Sequence, residues 1–184
     1  PTETFSSTWR DIKVYNNYAF IVADGVGSHG VQIFDLTQLR GITTPQTFSA
    51  DTRYTGAGSI HNIVINEDTG FAYLAGADVD GGSLHIVDIS DPLNPTFVSA
   101  LNNRYSHDAQ VVTYNGPDAD YVGREIAIGS DADRITISDV TDKQSLQILG
   151  EGFYSEMAYT HQGWLTEDHA YFISNDELDE LSGG

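Results

Sequence analysis

The 184-residue sequence predicts an all-β fold built from repeated four-stranded antiparallel units. One observation is an internal repeat: I-F-D-L-T (33–37), I-V-D-I-S (86–90) and I-S-D-V-T (137–141) place their aspartates 53 and 51 residues apart. The other is that only strand signals lie between these landmarks, as short apolar runs separated by Gly, Asn and Asp turn residues. A period of about 50 residues with this content corresponds to four strands per repeat.

Each repeat divides into predicted strands. The first repeat contains RDIKVY (10–15), YAFIVA (18–23), GVQIFDL (30–36) and PQTFSA (45–50). The second contains HNIVIN (61–66), FAYLAG (71–76), SLHIVDIS (83–90) and PTFVSAL (95–101). The third contains HDAQVVTY (107–114), REIAIGS (124–130), RITISDV (134–140) and LQILGE (146–151), and two strands follow in HQGWLTED (161–168) and HAYFISND (169–176).

Several of these runs are almost continuously apolar, which is expected of strands buried on both faces. Blades of a β-propeller meet that condition, because a neighbouring blade packs on either side. The sequence therefore predicts one partial propeller domain over residues 1–184, with blades at about 9–52, 60–102 and 106–151 and a half blade at 160–180. Since a ring needs four to eight blades, we expect the missing blades to come from a longer chain or from an oligomer partner.

Composition narrows the classes of partner. Asp and Glu number 27 against 8 Lys and Arg, and the net charge of −19 argues against binding to nucleic acid. The chain has no cysteine, which excludes disulfides and thiolate metal sites. No run approaches the roughly 20 apolar residues of a membrane span, and no signal peptide is visible.

Histidine recurs at the start of every repeat except the first, where arginine has the equivalent position. Arg10, His61, His107 and His161 occupy equivalent positions, 51, 46 and 54 residues apart. In a propeller the first strand of each blade lines the central channel, so we expect these starts to gather at one mouth of that channel. Imidazole is a common metal ligand, although a histidine at a strand start can also serve only to hydrogen-bond the neighbouring blade.

Acidic segments are predicted to reach the same face, because the second strand of each blade ends there. The sequence thus predicts a divalent cation, calcium or a transition metal, whose candidate ligands are His61, His107, His161, Asp108, Asp176 and Glu177. Arg10, Asp11, Tyr105 and Tyr159 are candidate contacts for a bound ligand. Only neutral imidazole ligates, so cation binding is expected to weaken as the pH falls through about 6.5.

Other polar residues have a structural interpretation. Asp35, Asp88 and Asp139 are predicted to cap the turns that follow their strands. His85 and His169 are interpreted as structural. D-V-D-G-G (78–82) resembles the beginning of a calcium loop but lacks the downstream glutamate of an EF-hand.

Longer sequence segments resemble those of a known protein family. The segment L-H-I-V-D-I-S-D-P-L-N-P (84–95) resembles the LVIVD-type repeat. Five further segments together resemble the bacterial "choice-of-anchor B" family: S-S-T-W-R-D-I-K-V-Y (6–15), H-N-I-V-I-N-E-D-T-G-F-A-Y (61–73), Y-S-H-D-A-Q (105–110), Y-N-G-P-D-A-D-Y-V-G-R-E (114–125) and Y-T-H-Q-G-W-L-T-E-D-H (159–169). The resemblance implies an extracellular, surface-attached propeller. It implies no established catalytic residues.

Motifs of common enzyme classes are missing: the sequence has no G-x-S-x-G elbow, H-E-x-x-H helix, Walker loop or dinucleotide glycine motif. The leading hypothesis is a non-catalytic binding or adhesion module at the cell surface, whose ligand is an extracellular glycan, peptide or protein. The alternative is a metal-dependent hydrolase or lyase acting on an extracellular substrate, since a cation at the channel mouth could activate water.

Overall fold

The structure, a computed structural model, describes residues 6–101 and 104–182. Within those residues it contains fourteen strands in four antiparallel sheets, three of four strands and one of two. Helical structure there is limited to 3₁₀ turns at Leu36–Leu39, Asp80–Gly82 and Asp179–Ser182. The prediction of an all-β chain of about three and a half four-stranded units is confirmed.

In every four-stranded sheet the strands follow one another in chain order, each paired with the next. The first sheet comprises β1 (Arg10–Tyr15), β2 (Tyr18–Ala23), β3 (Val31–Asp35) and β4 (Thr52–Tyr54). The second comprises β5 (Asn62–Asn66), β6 (Phe71–Ala75), β7 (His85–Asp88) and β8 (Thr96–Ala100). The third comprises β9 (Asp108–Thr113), β10 (Glu125–Ser130), β11 (Ile135–Asp139) and β12 (Gln147–Gly152), and the last β13 (Thr160–Leu165) and β14 (Phe172–Asp176).

One strand prediction is wrong: the fourth strand of the first repeat lies at 52–54 and not at 45–50. Its register with β3 pairs Val31 with Tyr54, and Tyr54 is buried. The apolar signal in the earlier segment comes from Phe48, whose ring packs against Phe34 with 5.3 Å between centroids. Phe48 therefore contributes to packing beside the sheet and not to strand pairing.

The repeated aspartates cap turns, as predicted. Asp35, Asp88 and Asp139 each accept a hydrogen bond from the backbone N–H two residues further on, at 2.8, 2.9 and 3.0 Å. A short acidic side chain at this position satisfies a backbone donor that has no partner in the sheet. The I-x-D pattern therefore marks the point at which each third strand ends.

The chain divides into two compact units, one up to residue 102 and the other from residue 103. In the first unit, β1 and β2 lie next to β5. Phe20, Ile33, Ile63 and Leu74 are fully buried between the two sheets, and each contributes roughly 1.5–3 kcal/mol of hydrophobic stabilisation. The sheets are also joined by a hydrogen bond of 3.1 Å from the Ile63 N–H to Oδ2 of Asp11.

The second unit repeats this arrangement with the third sheet and the hairpin β13–β14. Strands β9 and β10 lie next to β13, and Ile126, Ile128 and Leu165 form the core. The Leu165 N–H donates to Oε1 of Gln110 at 2.7 Å, so a first-strand side chain again binds the backbone of the next sheet. Among the described residues no helix has the length and apolar character needed to cross a membrane.

Candidate metal centre

Three predicted ligands come together in the second unit. His107 directly precedes β9, and its N–H donates to the Ser130 carbonyl at 2.8 Å. His161 is the second residue of β13, at a register shift between Thr160 and Gln162. Glu177 directly follows β14, and its N–H donates to the Tyr159 carbonyl at 3.0 Å. Backbone hydrogen bonds at the sheet ends thus fix where two of these three residues enter the site.

The ligand atoms of His107, His161 and Glu177 all lie within 4.8 Å of one another. The two imidazole rings have their centroids 4.8 Å apart, and Nε2 of His161 lies 3.9 Å from Oε2 of Glu177. Bonds of about 2.0–2.2 Å to zinc put ligand atoms about 3.3–3.5 Å apart around a tetrahedral ion. Small side-chain rotations would therefore bring the three donors onto one cation.

The His107 ring is held by its surroundings. Its Nδ1 lies 3.0 Å from the His161 carbonyl oxygen, and donation from Nδ1–H to that oxygen directs the lone pair to Nε2. Ligating histidines in proteins usually have such a backbone partner on the second nitrogen, which orients the ring. Tyr159 packs edge-on against the ring at 5.2 Å, and Tyr105 lies 6.5 Å away. Both tyrosines therefore line the site, where the sequence analysis expected ligand contacts.

Burial decreases across the group. His107 is buried, His161 is intermediate, and the Glu177 side chain is half exposed. A cation held here would have protein on the imidazole side and solvent on the carboxylate side. Three protein donors leave coordination positions for water or for an oxygen of a bound ligand.

Two other predicted ligands form local hydrogen bonds. Asp176 accepts from the backbone N–H groups of Ala158, Tyr159 and Leu178 and from the Tyr154 hydroxyl, at 2.7 to 2.9 Å. Burial tends to raise the pKa of Asp176, but these donors outweigh it and lower the pKa strongly. Asp176 thus organises the loop that carries Tyr159. The other predicted ligand, Asp108, accepts a hydrogen bond from the Ala109 N–H at 2.8 Å.

His61, the remaining predicted imidazole, lies in the first unit. Its Nδ1 is 3.0 Å from Oδ2 of Asp24, and Oδ1 of Asp24 accepts from the Ser59 hydroxyl at 2.9 Å. Burial raises the pKa of Asp24, and the hydrogen bonds from His61, Ser59 and Gly25 more than offset this and lower it. Asp24 follows β2 and His61 precedes β5, so the pair connects the two sheets of this unit.

Arg10 and Asp11 also have partners inside the first unit. Nη1 of Arg10 lies 2.8 Å from Nε2 of His29, whose Nδ1–H donates to the Gly30 carbonyl at 2.8 Å. His29 is fully buried. Burial lowers its pKa, and the Arg10 charge lowers it further. Asp11 binds Lys13 at 2.6 Å in addition to the Ile63 N–H.

Two consecutive side-chain hydrogen bonds, which the sequence did not predict, join Tyr54, His85 and Asp80. The Tyr54 hydroxyl donates to Nε2 of His85 at 2.6 Å, and Nδ1–H of His85 donates to Asp80 at 2.5 Å. Burial raises the pKa of Tyr54, which keeps the phenol protonated. A side chain at Gly56 would overlap the Tyr54 hydroxyl, with its Cβ only 2.1 Å away. His85 is thus buried and bonded on both ring nitrogens, as expected of a histidine with a structural role.

The D-V-D-G-G loop uses its carboxylates internally. Asp78 accepts from the Gly58 N–H at 2.8 Å, and Asp80 binds His85. His169 accepts from the Asn115 N–H at 3.0 Å, which joins two turns of the second unit. Both segments therefore have local structural roles.

In each of the two units a four-stranded meander packs on the first strand of the sheet that follows it within that unit, so the chain is a repeat protein of the β-propeller type. Two segments, residues 8–28 and 57–103, match the family model of the LVIVD repeat. They cover β1, β2 and the whole second sheet, so the match supports the repeat family. No curated protein and no solved structure matches the chain.

Proposed function

We propose that this protein is a non-catalytic binding module whose ligand-facing surface carries a divalent cation held by His107, His161 and Glu177. One observation carries the proposal: side chains from three separate strand ends place two imidazole nitrogens and a carboxylate oxygen within 4.8 Å of one another. Two nitrogens and one oxygen suit zinc or a similar transition metal better than calcium, which prefers six to eight oxygens.

The cation would link the module to its ligand. An open coordination position accepts a carboxylate or hydroxyl oxygen, and the nearby rings of Tyr105 and Tyr159 offer apolar contact area. A glycan, a peptide or a protein carboxylate presents both kinds of group. The chain charge of −19 favours binding of a cation to the module before an acidic ligand is recruited.

We further propose an extracellular, surface-attached location in a bacterium. This proposal has the resemblance of the chain to choice-of-anchor B proteins as its support, together with the LVIVD match. Surface labelling of intact cells that express the full-length protein, compared with labelling of lysed cells, tests it. Labelling only after lysis would contradict it.

Metal titration tests the proposed centre. Isothermal titration of zinc into the metal-free wild type should give one site per chain. His161→Ala and Glu177→Gln should each weaken binding about tenfold or more, because loss of even an outer-shell partner costs 10–100-fold. His169→Ala is the matched control in the same unit and should bind as the wild type does. Unchanged binding in both ligand variants would contradict the centre.

His61→Ala decides whether the first unit contributes a ligand. Because His61 binds Asp24 in its own unit, we expect zinc affinity to stay within about twofold of the wild type. A loss comparable to that of His161→Ala would show that the sequence-based set of three imidazoles is the correct one.

A second function has a specific observation in its favour. Three protein ligands with an open position also describe catalytic zinc sites, where the metal lowers the pKa of a bound water. A metal-dependent hydrolase or lyase would therefore use the same three side chains. Zinc-dependent turnover of an ester or glycan panel that disappears in His161→Ala would favour this function, whereas binding without turnover favours the module.

A further inference from the structure

A row of exposed side chains extends from the proposed metal group along the end of the third sheet. It begins at Tyr105, which is exposed and whose ring centroid lies 6.5 Å from that of His107. Arg104 is the preceding residue, and its Nε lies 3.8 Å from Oε1 of Glu151 near the end of β12. The row therefore adjoins the metal group at one end.

An aromatic ring on a fixed guanidinium forms the other end of the row. Arg134 binds the same Oε1 of Glu151 at 3.0 Å and both carboxylate oxygens of Asp133 at 2.9 Å, and its side chain is only 15% exposed. Its guanidinium lies over the Phe153 ring at 5.2 Å, while Phe153 is 64% exposed. A ring that is held in this way loses little conformational freedom when a ligand binds. We call these five residues the aromatic strip: Tyr105, Arg104, Glu151, Arg134 and Phe153.

A second set of contacts fixes the far end of the strip near the metal group. Tyr154, the residue after the strip's phenylalanine, donates from its hydroxyl to Oδ2 of Asp176 at 2.7 Å. The same hydroxyl lies 3.2 Å from that of Thr160. Asp176 directly precedes Glu177, and Thr160 directly precedes His161. The segment is thus bonded to both strand ends that carry proposed ligands, and the strip and the metal group belong to one surface.

The charges on this surface are mostly negative. Both guanidiniums of the strip already bind carboxylates, and the segment after β14 adds four more acidic residues, Asp176, Glu177, Asp179 and Glu180. One divalent cation does not balance this excess. An acidic polysaccharide or an acidic peptide is therefore repelled by most of the surface, and a basic peptide is repelled by the cation.

A neutral glycan fits each feature of the surface. Neighbouring hydroxyls of one sugar supply oxygens for the open coordination positions of the cation. The C–H face of another sugar ring packs against the exposed ring of Phe153, which offers a large apolar contact area. The Glu151 carboxylate accepts hydrogen bonds from sugar hydroxyls, and the Arg104 guanidinium donates to them.

We propose that the metal centre and the aromatic strip together bind a neutral glycan of several sugar units, with hydroxyls of one sugar on the cation and another sugar against Phe153. This inference rests on the proposed function, because the cation holds one end of the glycan. It selects glycans from the three classes of ligand that the cation alone would accept.

Isothermal titration of the zinc-loaded wild type with neutral hexasaccharides tests the class of ligand. At least one of mannohexaose, cellohexaose and maltohexaose should bind saturably, and removal of zinc with a chelator should weaken its binding at least tenfold. Hexagalacturonate and hexaglutamate should bind at least tenfold more weakly than this glycan. The proposal is overturned if no neutral hexasaccharide binds or if either acidic probe binds as tightly; tight binding of hexaglutamate would identify a peptide ligand.

Substitution of Phe153 tests the role of the strip. Phe153→Ala should weaken glycan binding at least tenfold, and Phe153→Tyr, which keeps an aromatic ring, should bind as the wild type does. Tyr171→Ala is the matched control, because Tyr171 is 72% exposed in the same unit but directly precedes β14, at the opposite end of that strand from Glu177. All three variants should keep the wild-type circular dichroism spectrum and a zinc affinity within about twofold. Unchanged glycan binding in Phe153→Ala would overturn the proposal.

Zinc titration separates a failure of this inference from a failure of the proposed function. A wild type that binds zinc at the proposed centre but none of the neutral glycans keeps the centre and overturns the inference. A wild type that binds no zinc overturns the proposed function. Glycan binding that is equal with and without zinc would overturn the joint site, even if Phe153→Ala abolishes it, because the strip would then bind the glycan alone.

Discussion

A buried ion pair in the third sheet joins the start of β10 to the turn after β11. Its loss is expected to lower the free energy of unfolding strongly. Nζ of Lys143 donates to Oε2 of Glu125 and to the Val140 carbonyl, both at 2.7 Å. The two side chains are only 9% and 4% exposed. Lys143→Met removes the cation and leaves the Glu125 carboxylate buried in the folded state. Loss of one partner of such a pair costs about 3–5 kcal/mol.

Thermal and urea unfolding, followed by circular dichroism, measure this cost. For a chain of 150–250 residues each kcal/mol shifts Tm by roughly 2–4 °C, so Lys143→Met should lower Tm by roughly 6–20 °C. Adding Glu125→Gln should restore most of the loss, because the uncompensated charge is gone. Lys13→Met is the control: the Lys13–Asp11 pair is more exposed, 42% and 20%, and is worth about 1 kcal/mol or less. A loss below about 1 kcal/mol for Lys143→Met would refute the reasoning.

Further predictions concern acid stability and the turns. Hydrogen bonds make the pKa of Asp24 lower in the folded state than in the unfolded state. The free energy of unfolding should therefore fall as the pH drops below about 5, through the unfolded pKa near 3.9 and on to the folded one. In Asp24→Asn the urea midpoint should fall less steeply over this range. Burial raises the pKa of Asp131, so the pH dependence has the opposite sign. The contribution of this carboxyl to the free energy of unfolding becomes more favourable as the pH falls through its folded pKa. In Asp131→Asn the free energy of unfolding should therefore decrease more steeply with falling pH, and it should differ least from the wild type at low pH. Gly70 has a φ of 72°, and its Cβ would lie 2.9 Å from the Tyr15 hydroxyl; Gly70→Ala should therefore cost about 1–2 kcal/mol in urea unfolding, whereas a change below 0.3 kcal/mol would show that the turn relaxes.

The fold could be predicted largely from the sequence because each four-stranded repeat requires an aspartate at the same position. Asp35, Asp88 and Asp139 each have to satisfy a backbone donor where a third strand ends, so their spacing reveals the period. The failure at β4 has a physical cause as well. Phe48 gives an apolar signal, but it packs on Phe34 beside the sheet, and periodicity does not distinguish this packing from strand pairing.

The candidate site was predictable only in part. Equivalent strand starts identified His107 and His161, and the acidic loop identified Glu177. The partners of Asp176 and Asp24 depend on how loops bend in three dimensions, because both carboxylates accept hydrogen bonds from groups on other segments. The same holds for Arg10, which binds His29 from a distance of 19 residues along the chain. Sequence spacing sets which side chains can meet, and the loop backbone decides which of them do.

Anomalous diffraction at the zinc edge, from crystals of the protein grown with zinc, tests the proposed cation site most directly. We expect one strong peak per chain, about 2.0–2.2 Å from nitrogen atoms of His107 and His161 and from a Glu177 oxygen. Crystals of His161→Ala grown in the same way should lack this peak. A wild-type crystal with zinc elsewhere, or with the two imidazoles unliganded at saturating zinc, would contradict the proposed cation site.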